Sequence, residues 1–290
     1  MRDSRKVSSS PAAMVARAMR RRLPASAGTR RRLASRPMAD RDEIVAFLDA
    51  LLDARDWPDY GPNGLQVPGT REVERVVTGV SAHAELFERA TTGGAQLVLC
   101  HHGILWDKVP RTISTAQKRR LRALFDADLS LAAYHLPLDA HPEVGNNALI
   151  CAELGLERAE PFGDHRGRSI GFVGRALDGA IDAGELFERC AAAFGREPLV
   201  YADGPGAVRS VGIVSGGGAG SLSEAVERGL DAFVTGEPSE PAMADAREGG
   251  VHFVAAGHYA TETFGVRRLG ELLSERFEVE HVFVDVPNPV

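Results

Sequence analysis

The sequence predicts an α/β fold with largely parallel or mixed sheets, and three observations predict it. From Met38 onward, segments with apolar residues at helical spacing alternate with short runs rich in Val, Leu, Ile and Phe. One of those runs, Leu97–Cys100, is apolar at every position, as a buried strand is. Polar signals gather where the runs end, at His101 and His102, Asp139, Glu237 and His258. Ligand sites of open α/β sheets gather at the carboxyl ends of strands.

The elements follow in order. The stretch DRDEIVAFLDALLDAR reads as a helix, with Asp40 as N-cap and Glu43 three residues later. VERVVTGVSA is a strand, AELFERATTGG a helix stopped by glycine, and AQLVLC a buried strand. AQKRRLRALFDAD is a helix, LSLAAYHLPLD a strand and NNALICAELGL a short helix. A second series runs from strand SIGFVGRAL through helix DAGELFERCAAAFG to strands PLVYA and SVGIVSG. Helix SLSEAVERG, strand AFVTGE, helix PAMADAREGG and strand VHFVAAG follow. The long helix TETFGVRRLGELLSERF and the strand EVEHVFVDV close the chain.

Composition narrows the class. Hydrophobic residues make up 44% and charged residues 26% of 290, ordinary for a globular protein. No apolar run approaches the ~20 residues that span a bilayer. Three widely spaced cysteines, Cys100, Cys151 and Cys190, argue against a disulfide framework and for a reducing, cytoplasmic compartment. Residues 1–37 carry ten Arg and one Lys against Asp3 alone; their +10 leaves −16 for residues 38–290 in a chain of net −6. So acidic a body does not suit a broad nucleic-acid footprint. The basic segment is open to three readings: a transit peptide, a nucleic-acid arm, or leader sequence ahead of a start at Met38. It is expected to be a disordered extension outside the fold.

Three segments carry the candidate chemistry. In CHHG, adjacent histidines on a strand would point to opposite faces. If both served one site, the strand would have to end at Cys100 and the backbone to curl at Gly103. In YHLPLDAH, Pro137 disfavours a helical Leu136, so His135 and Asp139 are expected off any helix, with at most one of them binding an ion directly unless the chain turns. In GHYATETF, His258 and Glu262 are four apart, on one helix face about 5–6 Å from each other. Three imidazoles and two carboxylates exceed the needs of one zinc ion and suit two ions sharing a carboxylate. The loop GIVSGGGAGSLSEA offers either an anion cradle or a glycine-dependent turn, without a dinucleotide fingerprint. Glu237, in TGEPSE, is placed to orient a ligand, to act as a base or to cap a helix.

NGLQV, CHHGILW, YHLPLDAHPEVGNNALIC, DAFVTGEPSE, AAGHYATETFGVRRL and VDVPNP together resemble the Nif-three-like dinuclear-metal-centre family, the GTP cyclohydrolase 1 type 2 homologues. The likeness runs from about Met38 to the C-terminus, with Gly103 where many members have proline. The resemblance implies a two-lobed subunit in a toroidal homohexamer. Residues 38–156 with 226–290 would form the metal-centre lobe, and 157–225 an intervening α/β lobe. It also implies a metal pair, His102 and Asp139 on one ion, His101 and His258 on the other, Glu262 bridging, and His135 beside the centre. The mixed imidazole and carboxylate set suits divalent Zn, Fe, Mn or Ni. A metal-dependent hydrolase acting on a nucleotide-like substrate is the leading expectation, with His135 or Glu237 moving the proton. The alternative is a non-enzymatic metal-binding ring serving as scaffold, chaperone or regulator. A weaker expectation is single-stranded nucleic acid in the ring, contacted by Arg119, Arg120, Arg267 and Arg268.

Overall fold

The computed structural model describes residues 38–110 and 112–290, Asp56 by its backbone only. The expected basic extension, residues 1–37, lies outside the described residues. The first half contains α1 (Arg41–Leu51), β1 (Gly64–Val67), β2 (Arg75–Ser81), α2 (Ala84–Thr92), β3 (Leu97–His102), α3 (Thr115–Asp126), β4 (Ser130–Ala133), α4 (Leu136–Ala140) and α5 (Asn146–Glu153). Strands β5 (Leu156–His165) and β6 (Arg168–Ala176), helix α6 (Ala183–Phe194), strands β7 (Leu199–Ala202) and β8 (Ser210–Val214) and helix α7 (Leu222–Glu227) follow. The chain ends with β9 (Ala232–Thr235), α8 (Ala242–Gly249), β10 (His252–Ala255), α9 (His258–Thr261), α10 (Thr263–Phe277) and β11 (Glu280–Phe283).

Local chemistry explains the helix starts. Asp40 caps α1 by accepting from Asp42 N–H at 2.8 Å and Glu43 N–H at 3.3 Å. Ser114 and Gln117 close a reciprocal capping box on α3. Helix α2 takes its cap from His83, whose ring accepts from Leu86 N–H.

Two sheets result. The five-stranded sheet has the order β11-β2-β3-β4-β1, parallel except for the antiparallel pair β4–β1. It is covered on both faces. Val76, Val80, Leu97 and Leu99 pack with α1 and α10 through Ile44, Leu48, Val266, Leu269 and Leu273. Val77, Val98 and Cys100 face Leu86, Phe87 and Leu124 of α2 and α3. The six-stranded sheet has the order β7-β10-β9-β8-β6-β5, with only β10–β9 and β9–β8 parallel. The three described cysteines are buried free thiols, and no helix among the described residues is long and apolar enough to cross a membrane.

Several expectations need correction. Strand β3 does not stop at Cys100 but pairs onward to His102 opposite Ser81. Asp139 lies on a helix after all, because Pro137 occupies the first turn of α4, where its missing N–H costs nothing. The last helix is broken at Glu262 (φ −110°, ψ 9°), between α9 and α10. Strand β5 escapes sequence reading, since its Glu-rich, largely exposed run contains Pro161 and shows little alternation. Strands β9 and β10, grouped in the expected division with the first lobe, are hydrogen-bonded into the second sheet.

Candidate metal centre

Four imidazoles and two carboxylates meet at the carboxyl end of the five-stranded sheet. His101 and His102 end β3, His135 precedes α4, Asp139 lies within it, His258 opens α9, and Glu262 sits at the helix break. His101 follows Leu97 and Leu99 on the α10 face, whereas His102 follows Val98 and Cys100 on the other. Both still reach one carboxylate. Strand β4 has ended at Ala133, and side chains at a strand's end lean along it beyond the sheet. The two ring centroids are 4.7 Å apart.

Glu262 is the hub. Its Oε1 lies 3.1 Å from His258 Nε2 and 3.5 Å from His101 Nε2, and its Oε2 lies 3.3 Å from His102 Nε2. Asp139 Oδ2 is 3.5 Å from His101 Nε2. Two triplets, His101–His102–His135 and His102–His258–Glu262, place their donor atoms within 4.8 Å of one another.

The outer hydrogen bonds fix which nitrogen faces inward. His101 Nδ1 donates to the Tyr134 carbonyl at 3.0 Å, His135 Nδ1 to Asp59 at 2.6 Å, and His258 Nδ1 to Glu237. His102 Nδ1 shares a hydrogen bond with Ser81 Oγ at 3.2 Å. Each ring therefore turns its Nε2 to the centre, as imidazole ligands held by outer partners do. Asp139 receives Asn146 Nδ2 at 2.8 Å and Ser215 Oγ at 2.9 Å on one oxygen, keeping the other for the cluster. Asn146 also accepts from Gly265 N–H, tying α5 to α10.

The donor set fits a metal on three grounds. His101 Nε2 and Glu262 Oε2 are buried with no hydrogen-bond partner, although imidazoles and carboxylates surround them. Groups that converge without bonding each other suit a shared cation. Second, Gly216 (φ +62°) leaves room that a Cβ would fill, 2.2 Å from Glu262 Oε1 and 3.2 Å from His258 Nε2. The glycine-rich loop thus serves close approach to the cluster. Third, the carboxylates hold positive charge on the imidazoles beside them. Burial pushes His101 down, but Asp139 and Glu262 outweigh it and raise it to about 9. His258 likewise rises to about 9 against its burial, through Glu262 and Glu237. Burial and neighbouring imidazoles take His102 down to about 3. The imidazoles hold Glu262 well below the carboxylate range despite its burial, while burial raises Asp139, with Glu262 adding to it. A divalent ion would replace those protons.

All seven predicted site residues lie in or against this cluster, Glu237 through its hydrogen bond with His258. A cavity of ≈ 250 Å³ opens onto His102, Glu237, His258 and Glu262. Sequence reading missed Asp59, Ser81, Asn146, Ser215 and Gly216. Asp59 is buried, and although burial would raise its carboxyl, hydrogen bonds from His135, Asn63 and Tyr60 hold it low. The only signal for it was its place just before the turn residues GPNG. Of the four arginines, Arg268 pairs with Glu271 and Glu275, and Arg267 stacks on Phe283 at 3.6 Å.

Known proteins are similar to this chain in sequence and fold. A Pseudomonas aeruginosa protein named GTP cyclohydrolase 1 type 2 homolog is 43% identical over 246 residues, 85% of this chain and 97% of its own length. The protein of that name from Escherichia coli strain K12 is 40% identical over 254 residues, 85% of this chain and 98% of its own. Among solved structures, TTHA1606 of Thermus thermophilus matches with a TM-score of 0.78 at 40% identity, covering 87% of this chain and all of the other. Protein ybgI, described as of unknown function, matches with a TM-score of 0.82 at 38% identity over the same shares. The Duf34/NIF3 (NGG1p interacting factor 3) sequence pattern matches residues 39–289, and with a mixed α/β fold and a His/Glu cluster in place the chain belongs to that family.

Proposed function

We propose that the chain is a dinuclear metal-dependent hydrolase acting on a nucleotide-like substrate. The observation that carries this reading is the orphaned pair, His101 Nε2 and Glu262 Oε2, buried among further donors with nothing to bond. His101, His102, Asp139, His258 and Glu262 would hold the ions, with Glu262 shared between them. Two divalent ions supply, when bound, an acidified water and a Lewis acid for the electrophile. His135 is the proton-handling group, since Asp59 holds its Nδ1 and leaves Nε2 facing the cluster. Glu237 acts through His258 by orienting it. The names of the relatives support a nucleotide-like substrate. A homohexamer and a reducing, cytoplasmic setting complete the reading; buried free thiols are in keeping with that setting, and light scattering tests the assembly.

Protein purified without added metal is expected to carry two transition ions per chain. Turnover of GTP or of a phosphodiester panel is expected to collapse in Glu262→Gln while the assembly persists. If wild type and variant are equally inert on every substrate, the catalytic reading fails and the metal-binding scaffold replaces it.

A further inference from the structure

On the side of His135 the cluster has a basic rim. Tyr60 lies against His135 and His165, with ring centroids 6.1 and 5.0 Å away. Two cations sit over the same ring, the Arg166 guanidinium 5.2 Å and Lys108 Nζ 5.9 Å from its centroid. Neither has a carboxylate partner among the described residues. The acids nearby are Asp59, taken by His135 and Asn63, Asp164, which accepts from Gly167 N–H, and exposed Asp107, whose N–H bonds the Tyr60 carbonyl; Arg166 Nη1 donates to the Asp59 carbonyl at 3.4 Å. His165 Nε2 is buried with no hydrogen-bond partner. In a body whose net charge is strongly acidic, two cations gathered on one ring beside a metal cluster, neither paired with a carboxylate, need an explanation.

The backbone points the same way. Arg166 (φ +54°) and Gly167 (φ +84°) form the two-residue turn between the paired His165 and Arg168. Such turns favour Asn-Gly, and an arginine there holds a strained left-handed conformation. The turn carries the guanidinium from the second sheet onto Tyr60, one aromatic ring from His135.

We propose that Lys108, Arg166 and His165 around Tyr60 form an anion subsite that takes the phosphate group of the substrate. Arginine and lysine are the side chains that bind phosphate, the first through paired N–H donors and the second as a point charge. The word substrate rests on the hydrolase reading; the anion site itself does not.

The test is calorimetric titration of the metal-loaded full chain with inorganic pyrophosphate. Wild type is expected to bind, and the double change Lys108→Met/Arg166→Met to bind about tenfold more weakly with unchanged metal content. Arg166→Lys, which keeps the charge, is expected to restore part of the loss. Both side chains are exposed, so loss of their contacts with Tyr60 should lower the melting temperature by no more than a few degrees. Glu262→Gln separates the two proposals, because it removes the metal and leaves the rim. Residual pyrophosphate binding there, lost on adding Arg166→Met, supports the subsite even if the chain takes up no metal. A wild type that binds no pyrophosphate, or a metal-replete double variant that binds as wild type does, overturns it.

Discussion

Gly216→Ala tests the centre without touching a donor. The new Cβ would lie 2.2 Å from Glu262 Oε1 and 3.2 Å from both Glu262 Cδ and His258 Nε2. Glu262 cannot swing aside freely, since three imidazoles surround its buried carboxylate. Clearing the contact moves the carboxylate by roughly 1 Å, and overpacking of this kind costs about 1–3 kcal/mol. The left-handed φ of +62° adds about 1 kcal/mol for any residue with a Cβ. A total of about 2–4 kcal/mol corresponds to a melting point about 5–15 °C lower in a domain of this size. Metal affinity should fall about 10- to 100-fold, as when a ligand's support is removed. Thermal melting in chelator measures the first effect, and metal titration of the chelated protein the second. A variant that melts with wild type and takes up metal as tightly would refute the close approach of Gly216 to Glu262.

Other expectations follow from the same contacts. Glu237→Ala frees His258 Nδ1 and should weaken metal binding about 10- to 100-fold with the fold intact, measured by competition with a chelating dye. His83 caps α2 as an acceptor, and burial together with Arg120 and Arg89 lowers its pKa, with Glu85 opposing. The unfolded chain therefore takes up this proton first as pH falls. The stabilisation is complete above about pH 6.5 and is lost on acidification through the lower folded value. His83→Ser, a cap that does not titrate, should flatten that part of the melting-versus-pH curve; an unchanged slope would exclude His83 as its source. Gly270→Ala raises helix propensity by about 1 kcal/mol but sets a Cβ 2.0–2.4 Å from three ring atoms of His281, whose Nε2 is bonded to Thr78 at 2.8 Å. The variant should therefore be less stable in denaturant titration, despite the better helix former.

Layering and donor identity were legible in the sequence because both are local. Helix-spaced stripes such as Ile44 and Leu48, caps such as Asp40, and the apolar run of β3 declare themselves within a few residues. The histidines and carboxylates stood out because they follow those runs. Donor geometry was not local. Whether His101 and His102 share a site depends on where β4 ends, which is a property of sheet register. Asp139 joins the cluster through one turn of helix that Pro137 starts rather than prevents. Asp59, Ser81 and Glu237 acquire their roles only against rings 76, 21 and 21 residues away in the chain, and no local pattern marks such a partner. Short-range spacing thus set which atoms were available. Long-range packing decided which nitrogen faces inward and which glycine makes room, because a hydrogen bond or a clash exists only once remote segments are held at contact distance.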